Sequence, residues 1–108
     1  MRRVPVFLIL FLSTAFGQSV DRGMKLYQDK WCHSCHGTAG QGGERGAGPK
    51  LAPDPFPYEA FAAQTRRPRM NMPRYAVEHL SEAELADIYA YLASVKSRPA
   101  KDIPELRD

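Results

Sequence analysis

The chain has 108 residues, enough for one small domain, with 15 basic and 12 acidic residues and a formal charge of +3. Two of the arginines lie within residues 1–3, so the rest of the chain has 13 basic residues against 12 acidic ones. That near-neutral balance is unsuited to binding a polyanion, and no nucleic-acid partner is expected.

The first seventeen residues have the composition of an export signal. The positive start is followed by an apolar run of thirteen residues, 4–16, and Ala15-Phe16-Gly17 places small residues where a signal peptidase cuts. The run falls short of the ~20 residues that span a bilayer. We therefore expect residues 1–17 to be a signal peptide cleaved after Gly17 and the protein to be periplasmic. It would contact a membrane only if the segment stayed uncleaved.

A first helix is predicted over residues 20–31, with Ser19 as its N-cap. Its apolar residues recur every three or four positions, as on the packed face of a helix: Val20, Gly23 or Met24, Tyr27 and Trp31.

The helix leads into Cys32-His33-Ser34-Cys35-His36, which has the Cys-x-x-Cys-His pattern of a c-type haem attachment site. Residues three and four apart share a helix face, so Cys32 and Cys35 can each bond one vinyl group of the same porphyrin. His36 can then direct a ring nitrogen at the iron from the same side. The motif therefore predicts one covalently attached haem c, with His36 as an iron ligand.

Two cysteines at this spacing have three other known uses. A thioredoxin-like pair expects a βαβ setting, and no strand-rich pattern flanks the motif. A zinc site normally uses two separated ligand pairs and would here depend on His33, His36 and His79. A structural disulfide is also possible, although a spacer of two residues closes only a very short loop.

The segment after the motif is rich in glycine over residues 37–48 and in proline over residues 49–57. Neither a P-loop nor a dinucleotide fingerprint is completed, so we interpret the glycines as tight turns and as places where backbone passes close to a flat ligand. The prolines indicate an ordered, extended wrap. A second helix is predicted over residues 57–67, with Pro57 at its first position and Pro68 ending it.

The last helix is the best-specified element. Ser81 and Glu84 form a capping box, and Leu80 with Leu85 forms a hydrophobic staple. We expect this helix to end near Ser97. The predicted folded domain therefore covers residues 18–97, and the polar, proline-containing residues 98–108 are expected to form a flexible tail.

A second axial ligand would separate an electron carrier from an open-site gas binder or peroxidase. The candidates are Met70, Met72 and His79. Met72, followed by Pro73, is preferred because it lies in a polar loop between two helices, where a core-filling role is unusual for methionine. Met70 is its competitor, and His79 is expected at the surface.

Taken together, these residues resemble a small class I cytochrome c over residues 19–97. The resemblance rests on the following motifs: Gly23, Tyr27, Cys32 to Gly37, Gly48-Pro49-Lys50-Leu51, Met72-Pro73, Leu80-Ser81-Glu82 and Tyr91-Leu92. It implies a compact all-α fold with three main helices around one haem, in which the first and last helices cross at Gly23. It also implies that the backbone carbonyl of Pro49 accepts a hydrogen bond from the His36 ring.

The charges near Met72 suggest how partners would dock. Four arginines fall within nine residues, at positions 66, 67, 69 and 74, and the sharper interpretation is a docking patch for an acidic redox partner. We expect a periplasmic carrier that shuttles single electrons between a donor and an acceptor protein and makes no bonds of its own. The alternative is a haem-bearing subunit of a dehydrogenase or oxidase complex.

Overall fold

The computed structural model describes residue 3 and residues 18–96; the predicted tail, and all of the predicted signal peptide except Arg3, lie outside the described residues. Residues 18–96 contain helices and no strand, which agrees with the predicted all-α class. The elements in chain order are α1 (Val20–Asp29), α2 (Cys32–His36), a 3-10 turn (Glu44–Gly46), α3 (Tyr58–Arg66) and α4 (Glu82–Ser94).

Helix α1 begins as predicted but ends two residues early. The Ser19 side chain accepts a hydrogen bond from the Arg22 backbone N–H and so caps the helix. Trp31 is not part of its packed face, because its backbone is left-handed (φ 65°) and separates α1 from α2. The indole is consequently 70% exposed, and the expectation that Trp31 packs in the core was wrong.

Helices α1 and α4 cross at Gly23, as the resemblance implied. A Cβ atom at Gly23 would lie only 1.8 Å from the carbonyl oxygen of Asp87, so only glycine allows the two backbones to approach this closely. One turn further along the crossing, the rings of Tyr27 and Tyr91 pack with centroids 5.5 Å apart. The crossing therefore fixes the helix that leads into the haem motif.

The core lies between these two helices and the segments that pack on them. Its buried residues are Tyr27, Ala52, Leu80, Leu85, Ile88, Tyr91 and Leu92. Cys32, Leu51, Phe61 and Tyr75 are half-buried against this cluster, so the attachment motif and the loop after α3 share one core. Across residues 18–96 we find no helix long and apolar enough to cross a membrane.

The ends of α3 and α4 differ from the predicted ones by one to three residues. The capping box at Ser81 and Glu84 is present in both directions. Helix α4 ends at Ser94, three residues before the predicted end, because Val95 takes up an extended conformation. Helix α3 starts at Tyr58 and ends at Arg66, one residue inside the predicted range at each end, so that Pro57 is its N-cap and not its first helical residue.

Candidate haem site

Both cysteines of the motif lie on the short helix α2, and neither is paired in a disulfide. Cys32 is half-buried. Burial raises the pKa of its thiol to about 11, so this thiol is uncharged near neutral pH. Cys35 is exposed. The disulfide alternative is thus not formed, and within residues 18–96 no three His, Cys, Asp or Glu side chains gather as a zinc site would require.

His36 is buried, and its ring is oriented by one hydrogen bond. Its Nδ1 lies 2.8 Å from the backbone carbonyl oxygen of Pro49, the contact that the resemblance implied. Because a carbonyl can only accept, Nδ1 carries the proton and Nε2 retains its lone pair. That is the tautomer an iron-binding histidine needs, with its other nitrogen held by an outer partner.

The glycine-rich loop brings Pro49 to that position. Gly43 and Gly48 both pass against the carbonyl of Cys35, where a Cβ atom would come within 2.0 and 2.5 Å of its oxygen. The same loop is pinned to α2 by the Gly42 N–H, which donates to the His36 carbonyl at 2.8 Å. The glycines therefore allow the loop backbone to pass close to the backbone of α2. The expectation from the sequence was close approach to a flat ligand.

His33, the residue between the cysteines, is not directed fully to solvent. It is half-buried, and its ring stacks on the Trp31 indole with centroids 5.7 Å apart and planes 21° from parallel.

The three candidates for the second axial position differ in exposure. Met70 is 96% exposed, and His79 also lies at the surface. Met72 is half-buried, with its sulfur 3.8 Å from the Gln64 side-chain nitrogen. A ligand must leave water to reach a haem iron, so the exposure pattern favours Met72 over both competitors.

Tyr75 connects the methionine loop to the motif. Its hydroxyl donates to the Lys30 carbonyl at 2.5 Å, a contact between residues 45 apart in the chain. Burial, together with the nearby cysteines 32 and 35, raises the pKa of Tyr75. The loop that holds Met72 and the turn that holds the cysteines thus meet at this side chain.

Arg66 takes a different role from the one its sequence context suggested. Its guanidinium donates to the backbone carbonyls of Tyr75 and Leu80 and pairs with Glu82 at 3.2 Å. The side chain is only 17% exposed, so Arg66 stabilises the loop and is unavailable to a partner. The exposed members, Arg67, Arg69 and Arg74, are called the arginine patch below.

Sequence reasoning missed the supporting roles of Gln64, Arg66 and Tyr75. Their contacts run to backbone atoms or sulfur between 5 and 45 residues away, and no local pattern marks such partners. A weak signal was available, since α3 ends in polar residues directly before the loop that holds Met72.

The residues present fit a covalently held haem. Two thiols and a correctly protonated imidazole occupy one turn, and a half-buried thioether lies in the loop joined to that turn by Tyr75. Within this set, Cys32 and Cys35 would form the thioether links, and His36 and Met72 would hold the iron.

This fold and this turn define a c-type cytochrome domain. The chain belongs to the family described as cytochrome c oxidase, cbb3-type, subunit III, whose sequence model matches residues 18–92. It therefore contains covalently bound haem c with its iron.

Two curated relatives are similar to this chain. It is 39% identical over 85 residues to the cytochrome bc1 complex cytochrome c subunit of Corynebacterium diphtheriae, a match that covers 76% of this chain and 29% of the relative. The subunit of the same name from Corynebacterium efficiens is 38% identical over 84 residues, covering 75% of this chain and 27% of the relative. The chain thus spans less than a third of these relatives, and no solved structure gives a significant match.

Proposed function

We propose that this protein is a haem-bearing electron-transfer subunit of a respiratory complex of the bc1 or oxidase kind. The support comes from its family, described as an oxidase subunit, and from relatives named as subunits of the bc1 complex. The expectation of a freely diffusing shuttle has no comparable support and becomes the rival proposal. In either role the chain makes no bonds of its own.

The observation that carries the electron-transfer role is the hydrogen bond between His36 Nδ1 and the Pro49 carbonyl, at 2.8 Å. It fixes the ring and leaves Nε2 for the iron, for which Met72 would be the second protein ligand. The haem supplies one-electron chemistry by alternating between ferrous and ferric iron. A closed site of this kind changes its ligands little between the two states, as an electron carrier requires.

The ligand assignment is tested with carbon monoxide and the purified ferrous holoprotein. The parent should bind the gas slowly or not at all, because Met72 occupies the sixth position, and Met72→Ala should bind it promptly. Met70→Leu is the matched control and should behave like the parent. Prompt binding by the parent would replace the carrier role with that of a sensor or peroxidase.

We also propose that the protein works outside the cytoplasm after cleavage behind Gly17. The composition of residues 1–17 and the attachment motif support this location. Intact-mass measurement of the mature holoprotein should give a chain that begins at Gln18 and carries one haem. A mass that includes residues 1–17 would instead favour a membrane-anchored subunit.

The two proposed roles differ in whether the protein stays bound to a membrane complex. A subunit should remain with a membrane complex in constant proportion when membranes are washed at raised salt and then solubilised. A shuttle should appear mostly in the soluble extracytoplasmic fraction. We expect the first result, and quantitative release by mild salt would support the shuttle.

A further inference from the structure

The loop that holds Met72 is fixed to α3 by an amide side chain. The side-chain oxygen of Gln64 accepts from the Arg69 N–H at 3.3 Å, and its nitrogen donates to the Arg69 carbonyl at 3.3 Å. Both backbone polar groups of one loop residue are therefore satisfied by a single side chain. The pairing fixes the conformation of the chain at Arg69, three residues after α3 ends at Arg66.

The same Gln64 nitrogen lies 3.8 Å from the Met72 sulfur, within the range for a weak hydrogen bond to a thioether. Gln64 thus contacts the loop both before and after Met70. The far side of the loop is fixed independently, since the Tyr75 N–H donates to the Thr65 carbonyl at 3.1 Å. Residues 70–72 are held between these two attachments.

Met70 shows the consequence of this arrangement. Its backbone is left-handed (φ 66°), an uncommon conformation for a residue with a Cβ atom, and its side chain is 96% exposed. Surrounding contacts must maintain such a conformation. Here they direct one thioether into water and leave the other, Met72, half-buried.

We propose that Gln64 is the positioning residue that selects Met72 over Met70 as the axial ligand of the haem iron. The inference rests on the proposed function, in which a methionine closes the iron site. The two thioethers are chemically identical and only two residues apart, so their intrinsic affinity for iron cannot separate them. The conformation of the loop decides between them, and Gln64 holds that conformation.

The test uses ferrous holoprotein with isotope-labelled methionine methyl groups. A methyl group bound above a haem is shifted far upfield by the porphyrin ring current, so each ligated methionine gives its own resonance. The parent should show one such signal, and it should vanish in Met72→Ala. Gln64→Ala should show two upfield methyl signals, one from each methionine. Without Gln64 to favour Met72, the form with Met70 bound should make up at least about a tenth of the molecules.

Two further variants make the result specific. Adding Met70→Leu to Gln64→Ala should remove the second signal and restore a single form. Gln28→Ala, at an exposed glutamine on α1, is the matched control and should resemble the parent. Gln64→Glu keeps the length and an oxygen for the Arg69 N–H but removes the donor, so it should also give two signals. It provides the test if Gln64→Ala fails to mature.

Several outcomes would overturn the inference. One is a single signal in both Gln64 variants, at the position found in the parent. Another is a second signal that persists after Met70→Leu, because it would then come from mobility of Met72 alone. The proposed function fails differently: the parent signal would be absent, or would survive Met72→Ala and be lost in Met70→Leu.

Discussion

The carboxylate of Asp87, in the middle of α4, accepts the backbone N–H of Ser19 at 2.7 Å, although the two residues are 68 positions apart. Asp87 is only 7% exposed, and its other oxygen receives the Arg22 side chain at 3.1 Å. Ser19 is held twice, since its own hydroxyl caps α1. The contact fixes where the helix leading to the haem motif begins.

Asp87→Ala should therefore lower the free energy of unfolding of the holoprotein by about 1–3 kcal/mol, because a shielded backbone donor and a paired cation lose their acceptor. Urea unfolding followed by circular dichroism measures this. Asp29→Ala, which removes an exposed carboxylate paired with Lys25, is the control and should cost at most about 0.5 kcal/mol. Equal losses for the two variants would contradict the role given to Asp87.

Gly23→Ala tests the helix crossing. On an open helix surface this change would stabilise by up to about 1 kcal/mol through helix propensity. Here the new methyl group would meet the Asp87 carbonyl, so we expect a loss of about 2 kcal/mol or more as the helices separate. The neighbouring Met24→Ala, at a half-exposed position, should have a small effect. Unchanged stability in Gly23→Ala would disprove the close crossing.

Arg66→Lys should weaken the attachment of the methionine loop. Both carbonyls, of Tyr75 and Leu80, accept from one guanidinium nitrogen, Nη1, while Nη2 pairs with Glu82. A lysine side chain is shorter and carries a single nitrogen, so it cannot occupy both positions. We expect about 1–3 kcal/mol less stability in urea unfolding and faster carbon monoxide binding by the ferrous protein. Glu82→Gln, at the exposed end of the same ion pair, should change neither by much.

Acid should weaken the start of α4 through Glu84. The hydrogen bond from the Ser81 backbone N–H, the main cause, holds the pKa of Glu84 below its ordinary 4.5. A carboxyl whose pKa is lowered by folding stabilises the protein above its unfolded-state pKa, and this contribution is lost as pH falls through the folded-state value. The stabilising contribution of the Glu84 carboxylate is therefore lost below about pH 4.5.

Glu84→Gln should flatten this acid limb when thermal unfolding midpoints are compared from neutral pH down to below 4.5. Ser81→Ala is the companion variant. It should cost about 1 kcal/mol across the whole pH range by removing the cap, while keeping most of the acid dependence. An acid limb as steep in Glu84→Gln as in the parent would assign that limb to other groups.

The arginine patch should steer anions toward the iron site. Oxidation of the ferrous protein by hexacyanoferrate(III) is a suitable probe, because the reagent is a compact anion. Arg69→Glu should slow the reaction roughly 3- to 10-fold at low salt, with the difference shrinking as salt is added. Lys25→Glu makes the same charge change on α1 and should slow it less. Equal slowing would mean that net charge alone governs the rate.

The sequence alone determined the parts of this protein that depend on neighbours within a few residues. The spacing of Cys32, Cys35 and His36 is enough to place both thiols and the iron-binding histidine on one helical turn. The capping box at Ser81 and Glu84 likewise joins residues three apart. The helix class, the helix starts to within one residue and the candidate ligands followed from such local rules.

Only the tertiary structure decided which side chains face inward and what they hold. By residue type alone Asp87 belongs at the surface of α4. It is buried instead, because Ser19 and Arg22 meet it from 68 and 65 residues away. Trp31 was assigned to the core and faces outward, because a left-handed residue ends α1 before it. Partners this distant in the chain come together only when the helices pack, and no local pattern encodes that packing.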